Sequence, residues 1–313
     1  MIVCLVANPS IDKLFEVDRL VKGDIHRPLV FVQTAGGKGL NVARAARALG
    51  ADVCALALLR GHAGRWLEEM LSAEGVRTQA VWTHGENRSS LSVADRETGG
   101  LTEFYEHGSE VPASAWTELA HATAGLFGEA TWLTISGSTP PGAPADGYAD
   151  VVREARAAGV RVALDADGDR LRSALEAGPD IVKVNAAEAG EVLGVPTMRR
   201  DEALAAAQKL RALAGGDGHA GVVTRGADGV VFAAPDGTLY EGALYVRGRF
   251  PVGSGDAFLA GLTVGLEQAP DDWAGALQLA LGAGTANSEL PGAGTLDPAR
   301  ARALASQARV RQV

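Results

Sequence analysis

Short, almost continuously apolar runs recur along the chain: IVCLVA, DVCALALL, TWLTIS, RVALDA, DIVKVN and AGVVT. Strands of this kind have no wet face. They belong to parallel sheets covered on both sides, and parallel strands need crossover helices between them. The intervening stretches supply those helices as Ala-rich patterns: NVARAARALG, AGRWLEEMLSAEG, ADGYADVVREARAAG and the latter part of VPTMRRDEALAAAQKLRALAG. The alternation predicts an α/β fold with a mostly parallel central sheet and helices on both faces. No internal repeat, low-complexity tract or flexible linker divides the chain, so all 313 residues read as a single domain, 1–313.

Two segments do not fit between parallel strands. Residues 11–34 read as strands joined by a polar turn at Lys22–Gly23–Asp24, and residues 88–107 alternate with period two around Thr98–Gly99–Gly100. A small antiparallel sheet made from both, standing off the main domain, is the economical arrangement; two separate surface hairpins are the alternative.

Composition narrows the partners. Hydrophobic residues make up 47% and charged residues 21% of the chain, an ordinary globular balance. The net charge of −9 and the lack of a long basic run argue against a nucleic-acid surface, while leaving room for a local basic pocket. Cys4 and Cys54 each sit in an apolar strand, which predicts buried thiols, and no Cys/His spacing suggests zinc. The start MIVCLVANP has no basic lead and too short an apolar run for a signal peptide, and no stretch approaches the ~18 apolar residues of a membrane span. A cytoplasmic protein is expected, with neither membrane nor nucleic acid as partner.

The polar turns cluster at strand ends, where open parallel sheets bind ligands. NPSID follows the first strand, so Asn8 and Asp12 stand there; Asn8–Pro9 fits an Asx turn, whereas Asp12 fits a contact to sugar hydroxyls. In AGGKGLNVARAARALG, Gly36, Gly37 and Gly39 bare their N–H groups just ahead of a helix, with Lys38 and Asn41 adding polar reach. This is not a Walker A loop, because the first glycine is missing and Gly39 follows the lysine. SGSTPPG offers Ser138 or a plain turn. In VKVNAAEAGEVLG, Asn185 and Glu188 are three residues apart at a strand-to-helix junction; a water-mediated Mg²⁺ site and a helix cap fit that spacing equally. Thr224 and Gly226 close a strand in VVTRGADGVVF, where hydroxyl and backbone donors suit nucleotide phosphates.

PVGSGDAFLAGL carries the sharpest signal. Gly253, Ser254 and Gly255 present N–H groups at a helix N-terminus, and Asp256 sits in its first turn. An anion cradle beside a base is what phosphoryl transfer requires: N–H groups for the charge on the moving group, a carboxylate for the hydroxyl proton. Alone, Asp256 would fit an N-cap as well. A dinucleotide fingerprint is excluded, since Phe258 occupies the third glycine position.

Together GGKGLNVARAARALG, VNAAE and PVGSGDAFLAGL resemble, end to end, the PfkB/ribokinase family of carbohydrate kinases. The resemblance implies a ribokinase-like three-layer α/β/α fold and ATP-dependent phosphorylation of a sugar hydroxyl. It implies Asp256 as catalytic base, an anion hole at Gly253–Gly255, and Asn185 and Glu188 organising Mg²⁺ through water. Thr224 and Gly226 would lie along ATP, with Asn287 near the adenine, and Asp12, Gly36, Gly37 and Asn41 would hold the sugar. The segments 11–34 and 88–107 would form a lid that closes over the sugar and pairs with the lid of a second subunit in a homodimer. NPSID followed by AGGKG is most similar to the branch acting on sugar phosphates, of the 1-phosphofructokinase and tagatose-6-phosphate kinase type. Arg88 and Lys38 would then grip the existing phosphate of a ketohexose phosphate. Two departures leave the acceptor open: DAF after the catalytic motif is similar to ribokinase-like members, and SGSTPPG lacks the basic residue some relatives carry. The alternatives are a kinase for an unphosphorylated sugar or nucleoside, and a non-catalytic sugar or nucleotide sensor on the same fold.

Overall fold

Each strand of the central sheet alternates its side chains between two cores. In the first strand, Ile2, Cys4 and Val6 enter one cluster of buried residues and Val3 and Leu5 the other. A computed structural model describes residues 1–195 and 199–313. Residues 196–198, in the stretch leading into the last of the helical patterns, lie outside the described residues.

The strands are β1 (Ile2–Val6), β2 (Ser10–Val17), β3 (Val30–Gly36), β4 (Val53–Arg60), β5 (Arg77–Thr83), β6 (Arg88–Asp95), β7 (Leu101–Tyr105), β8 (Trp132–Ser136), β9 (Arg161–Asp165), β10 (Ile181–Asn185), β11 (Ala220–Thr224), β12 (Val230–Ala233), β13 (Leu239–Ala243) and β14 (Arg309–Gln312). The helices are α1 (Lys38–Ala48), α2 (Gly61–Ala73), α3 (Ala113–Ala124), α4 (Gly147–Ala157), α5 (Gly168–Glu176), α6 (Ala186–Leu193), α7 (Arg200–Leu213), α8 (Ser254–Gln268), α9 (Trp273–Glu289) and α10 (Pro298–Ala305).

Ten strands form the main sheet in the order β14-β13-β12-β11-β10-β9-β8-β1-β4-β5. From β11 to β5 every pairing is parallel, and β12, β13 and β14 add an antiparallel edge. Helices α1, α2, α8, α9 and α10 cover one face, and α3 to α7 the other. The three layers expected from the apolar runs are therefore present. Cys4 and Cys54 are buried free thiols, one in each core, which places them on opposite sides of the sheet.

The segments that broke the rhythm form the second sheet, in the order β3-β2-β6-β7. Each hairpin is antiparallel, and the two join through a parallel β2–β6 pairing in which Ser10 stands opposite Arg88 and Asp12 opposite Ser90. That register sets the sheet's faces. Asp12, Thr34 and Ser90 line the cleft beneath it, while Phe15, Phe31, Leu91 and Phe104 occupy the alternate positions. No helix among the described residues is long and apolar enough to cross a membrane.

Candidate active site

The parallel strands end at one edge of the main sheet, and the second sheet stands over that edge. Between them lies a cleft of about 1020 Å³. Asp12, Gly37, Lys38, Asn41, Arg88, Ser138, Asn185, Glu188, Thr224, Gly226, Ser254, Gly255 and Asp256 all line it, although they come from opposite ends of the chain.

Asp256 is its centre. It lies in the first turn of α8, a helix buried on nearly all sides, which explains why the sequence there is apolar without an amphipathic stripe. Gly253 caps this helix at φ +80°, and a Cβ would stand 2.7 Å from the backbone of Ala293 and Gly294, so no other residue fits. The Asp256 carboxylate is 6% exposed and accepts a hydrogen bond from Asn41 Nδ2 at 2.8 Å. Burial, and then the neighbouring Asp165 carboxylate, push its pKa up to about 7, against the pull of Lys38, Lys183 and Asn41.

Beside it runs a charged array. Asp165, fully buried at the end of β9, receives Lys38 Nζ on one oxygen at 3.0 Å and Lys183 Nζ on the other. Burial opposes ionisation of Asp165, but the two ammonium groups outweigh it and hold the pKa below the ordinary value. Burial likewise opposes the charge on Lys38, and Asp165, Glu188 and Asp256 outweigh it, keeping the lysine protonated. The Lys183 ammonium lies 3.0 Å from where a Cβ on Gly255 would be, so a second cation stands against the backbone of the cradle. The sequence reading missed Lys183 and Asp165. Their signal was there: a lysine inside the apolar run IVKVN is tolerated in a core only when paired, and RVALDA ends in its partner.

Toward the second sheet, Asp12 accepts hydrogen bonds from Ser10 Oγ, Ser90 Oγ and the Gly37 N–H. Gly36 does not line the cleft. It stands behind Asp12, where a Cβ would fall 2.0 Å from the carboxylate. Ser138 Oγ accepts from Asn8 Nδ2 at 3.1 Å, and Arg88 Nε donates to the Asn8 carbonyl at 3.3 Å.

Three of the expected residues are also tied into the fold. Asn185 and Glu188 form a capping box: Asn185 Oδ1 accepts the Glu188 N–H, and Glu188 Oε2 accepts the Asn185 N–H. The Asn185 oxygen is thereby committed to α6, while Glu188 also receives Lys38 Nζ at 3.1 Å and faces the cleft. Asn287, expected along the nucleotide, is fully buried and lines no part of the cleft. It donates to the Val252 carbonyl at 2.8 Å and accepts from the Gly294 N–H at 2.8 Å, bracing the loop that carries Gly253. Its place inside α9, on the face turned to that loop, is the reason.

No group of three or more His, Cys, Asp or Glu residues among the described residues makes a metal cage. The residues present would fit Mg²⁺ held largely through water, because such an ion keeps most of its waters and needs few protein ligands. Glu188, which faces the cleft, would be the carboxylate to reach it.

The chain matches the family model described as pfkB family carbohydrate kinase over residues 5–300. It is 33% identical to a 1-phosphofructokinase of Haloferax volcanii over 300 residues, covering 95% of this chain and 93% of the relative. It is 31% identical to a tagatose-6-phosphate kinase of Staphylococcus epidermidis over 269 residues, covering 85% of each. Its fold superposes on phosphofructokinase-2 from Escherichia coli with a TM-score of 0.88 at 23% identity, covering 98% of both chains.

Proposed function

The chain belongs to the pfkB family of carbohydrate kinases, and we propose that it transfers the γ-phosphoryl group of ATP to a hydroxyl of a phosphorylated ketohexose. The observation that carries this reading is the Asp256 carboxylate, buried at a helix N-terminus and poised near pH 7 beside two lysines. Asp256 accepts the proton of the acceptor hydroxyl as its oxygen bonds to the γ-phosphorus and the bond to the β-phosphate oxygen breaks, releasing ADP. The N–H groups of residues 253–256 and the Lys183 ammonium meet the charge spreading over the transferring group. Asn41 holds Asp256 by its carboxylate oxygen and keeps it aimed. Lys38, fixed by Asp165 and Glu188, brings a second cation to the same space.

Of the residues lining the cleft, Thr224 and Gly226 are assigned to the nucleotide, and Asp12, Gly37, Asn41 and Ser138 to the acceptor; that all six share one cleft supports this. Arg88 supplies the cation for the acceptor's own phosphate. Mg²⁺ on the nucleotide, reached by Glu188 through water, would neutralise phosphate charge. The outer face of the second sheet pairs with its counterpart in a homodimer, for which exposed Phe31 and Phe104 are the support.

The test is ATP consumption across a panel of ketohexose 1-phosphates, ketohexose 6-phosphates, free sugars and nucleosides. Turnover confined to the phosphorylated sugars is expected. Preference for a free sugar or nucleoside would replace the acceptor assignment, and no consumption with any of them would remove the reading.

A further inference from the structure

Arg60, the last residue of β4, is fully buried, yet it has no ion-pair partner among the described residues. One of its nitrogens, Nη1, donates to the Ser109 carbonyl at 2.6 Å. The other two, Nε and Nη2, are buried and have no hydrogen-bond partner among the described residues. A guanidinium carries five N–H donors, and an unpaired buried cation is among the costliest things a fold can hold. Burial lowers its pKa, and no anion among the described residues opposes that. Such a group calls for a counter-charge that arrives from outside the chain.

Its surroundings point to where that charge arrives. A Cβ on Gly108 would stand 3.1 Å from Asn8 Oδ1, 3.6 Å from Arg88 Cδ and 3.7 Å from Arg60 Nη2, so these groups converge on one spot beside a residue with no side chain. Asn8 Oδ1 is itself buried and has no hydrogen-bond partner among the described residues. Asn8, Arg88 and His107 line the cleft; Arg60 is buried and does not, but its Nη2 meets the same spot at Gly108. The backbone ties the same pieces together: the Arg60 N–H donates to Asn87 Oδ1 at 2.7 Å, next to Arg88 in the chain.

We propose that Arg60 is a second, buried cation of the acceptor-phosphate subsite, standing behind Arg88 so that the phosphate of the bound sugar is its counter-charge. The inference rests on the phosphorylated acceptor argued above. Arg60 acts on that phosphate through its field across the gap left by Gly108 and through its hold on the 107–109 backbone. It therefore sets specificity and position without touching the reacting atoms.

The experiment compares Arg60→Met, Arg60→Lys and Arg88→Ala, with tagatose 6-phosphate and fructose 1-phosphate as acceptors. Arg60→Met should raise KM for the phosphorylated sugar roughly ten- to thirtyfold, the effect of one charge pair several ångströms apart at the effective dielectric of a protein. KM for ATP and kcat should stay within about twofold. Arg60→Lys keeps the charge and should restore most of the affinity. The unliganded melting temperature of Arg60→Met should not fall, because an uncompensated charge has been removed. An unchanged acceptor KM in Arg60→Met, alongside a raised one in Arg88→Ala, overturns this inference alone. Equal losses in Arg60→Lys and Arg60→Met also overturn it, leaving Arg60 as a clamp on Ser109. If Arg88→Ala leaves KM unchanged, the phosphorylated-acceptor reading fails and this one with it. Should Arg60→Met not fold, Arg60→Gln removes the charge while keeping a donor for Ser109.

Discussion

At the scale of single residues, Asp256 is held in a state it resists. Burial and the Asp165 carboxylate favour its protonated form, yet a general base must be ionised. With its pKa moved from 3.8 up to about 7, kcat/KM should fall along a one-proton limb below about pH 7. A rate profile flat down to pH 5 would contradict the assignment. Stability runs the other way. A carboxyl whose folded pKa lies above its unfolded value favours the folded state when protonated, so the penalty grows between the two pKa values and is full above the upper one. Asp256→Asn should therefore abolish turnover, losing at least about 10²-fold in kcat. It should also leave ATP affinity nearly intact by calorimetry, and raise the melting temperature more at pH 8 than at pH 5. The glycines and the acid were legible from GSGD because adjacency carried them. The Lys38–Asp165–Lys183 array was not, since its members are far apart in sequence and meet only through strand order.

At the scale of elements, α6 begins with a pair of side chains that closes a helix cap and also lines the cleft. Asn185 and Glu188 close the capping box, and the Glu188 oxygen not used there faces Lys38 and the cleft. Spacing alone could not separate cap from metal site, because both demand the same two positions. A substitution can. Glu188→Gln keeps a capping acceptor but loses the charge, so thermal stability should change by less than about 1 kcal/mol. In steady-state assays kcat should fall and the Mg²⁺ concentration needed for half-maximal rate should rise. Asn287 is the converse case. Its amide ties the Val252 carbonyl to the Gly294 N–H inside the core. Asn287→Ala should cost roughly 2–3 kcal/mol in denaturant unfolding by leaving buried groups unpaired, and should slow kcat by loosening the loop that carries the anion hole.

At the scale of the whole molecule, the mostly parallel sheet between two helical layers followed from the apolar runs because strands buried on both faces have few ways to be satisfied, whereas the order of its strands came only from the structure. The hairpins announced themselves by a polar turn in 11–34 and by period-two alternation in 88–107, but their parallel β2–β6 junction did not, since it joins segments whose relative placement no local pattern encodes. That junction has a consequence for assembly. Adjacent residues of β2 and β6 point to opposite faces, so Asp12 and Ser90 line the cleft while Phe15 and Leu91 face away. Phe31 packs edge-on against Phe15, with ring centroids 5.5 Å apart, and remains 56% exposed; Phe104, opposite Leu91, is 59% exposed. These exposed aromatics are the surface that the proposed pairing with a second copy would cover. Sedimentation should show a dimer, and Phe31→Glu together with Phe104→Glu should give a folded monomer. Because the same strands carry the inner face, that monomer should bind the acceptor more weakly, with KM raised severalfold and ATP affinity unchanged. A wild-type monomer at working concentrations would overturn the assembly, whereas a monomeric variant with unaltered KM would separate assembly from acceptor binding and leave each sheet face to a single task.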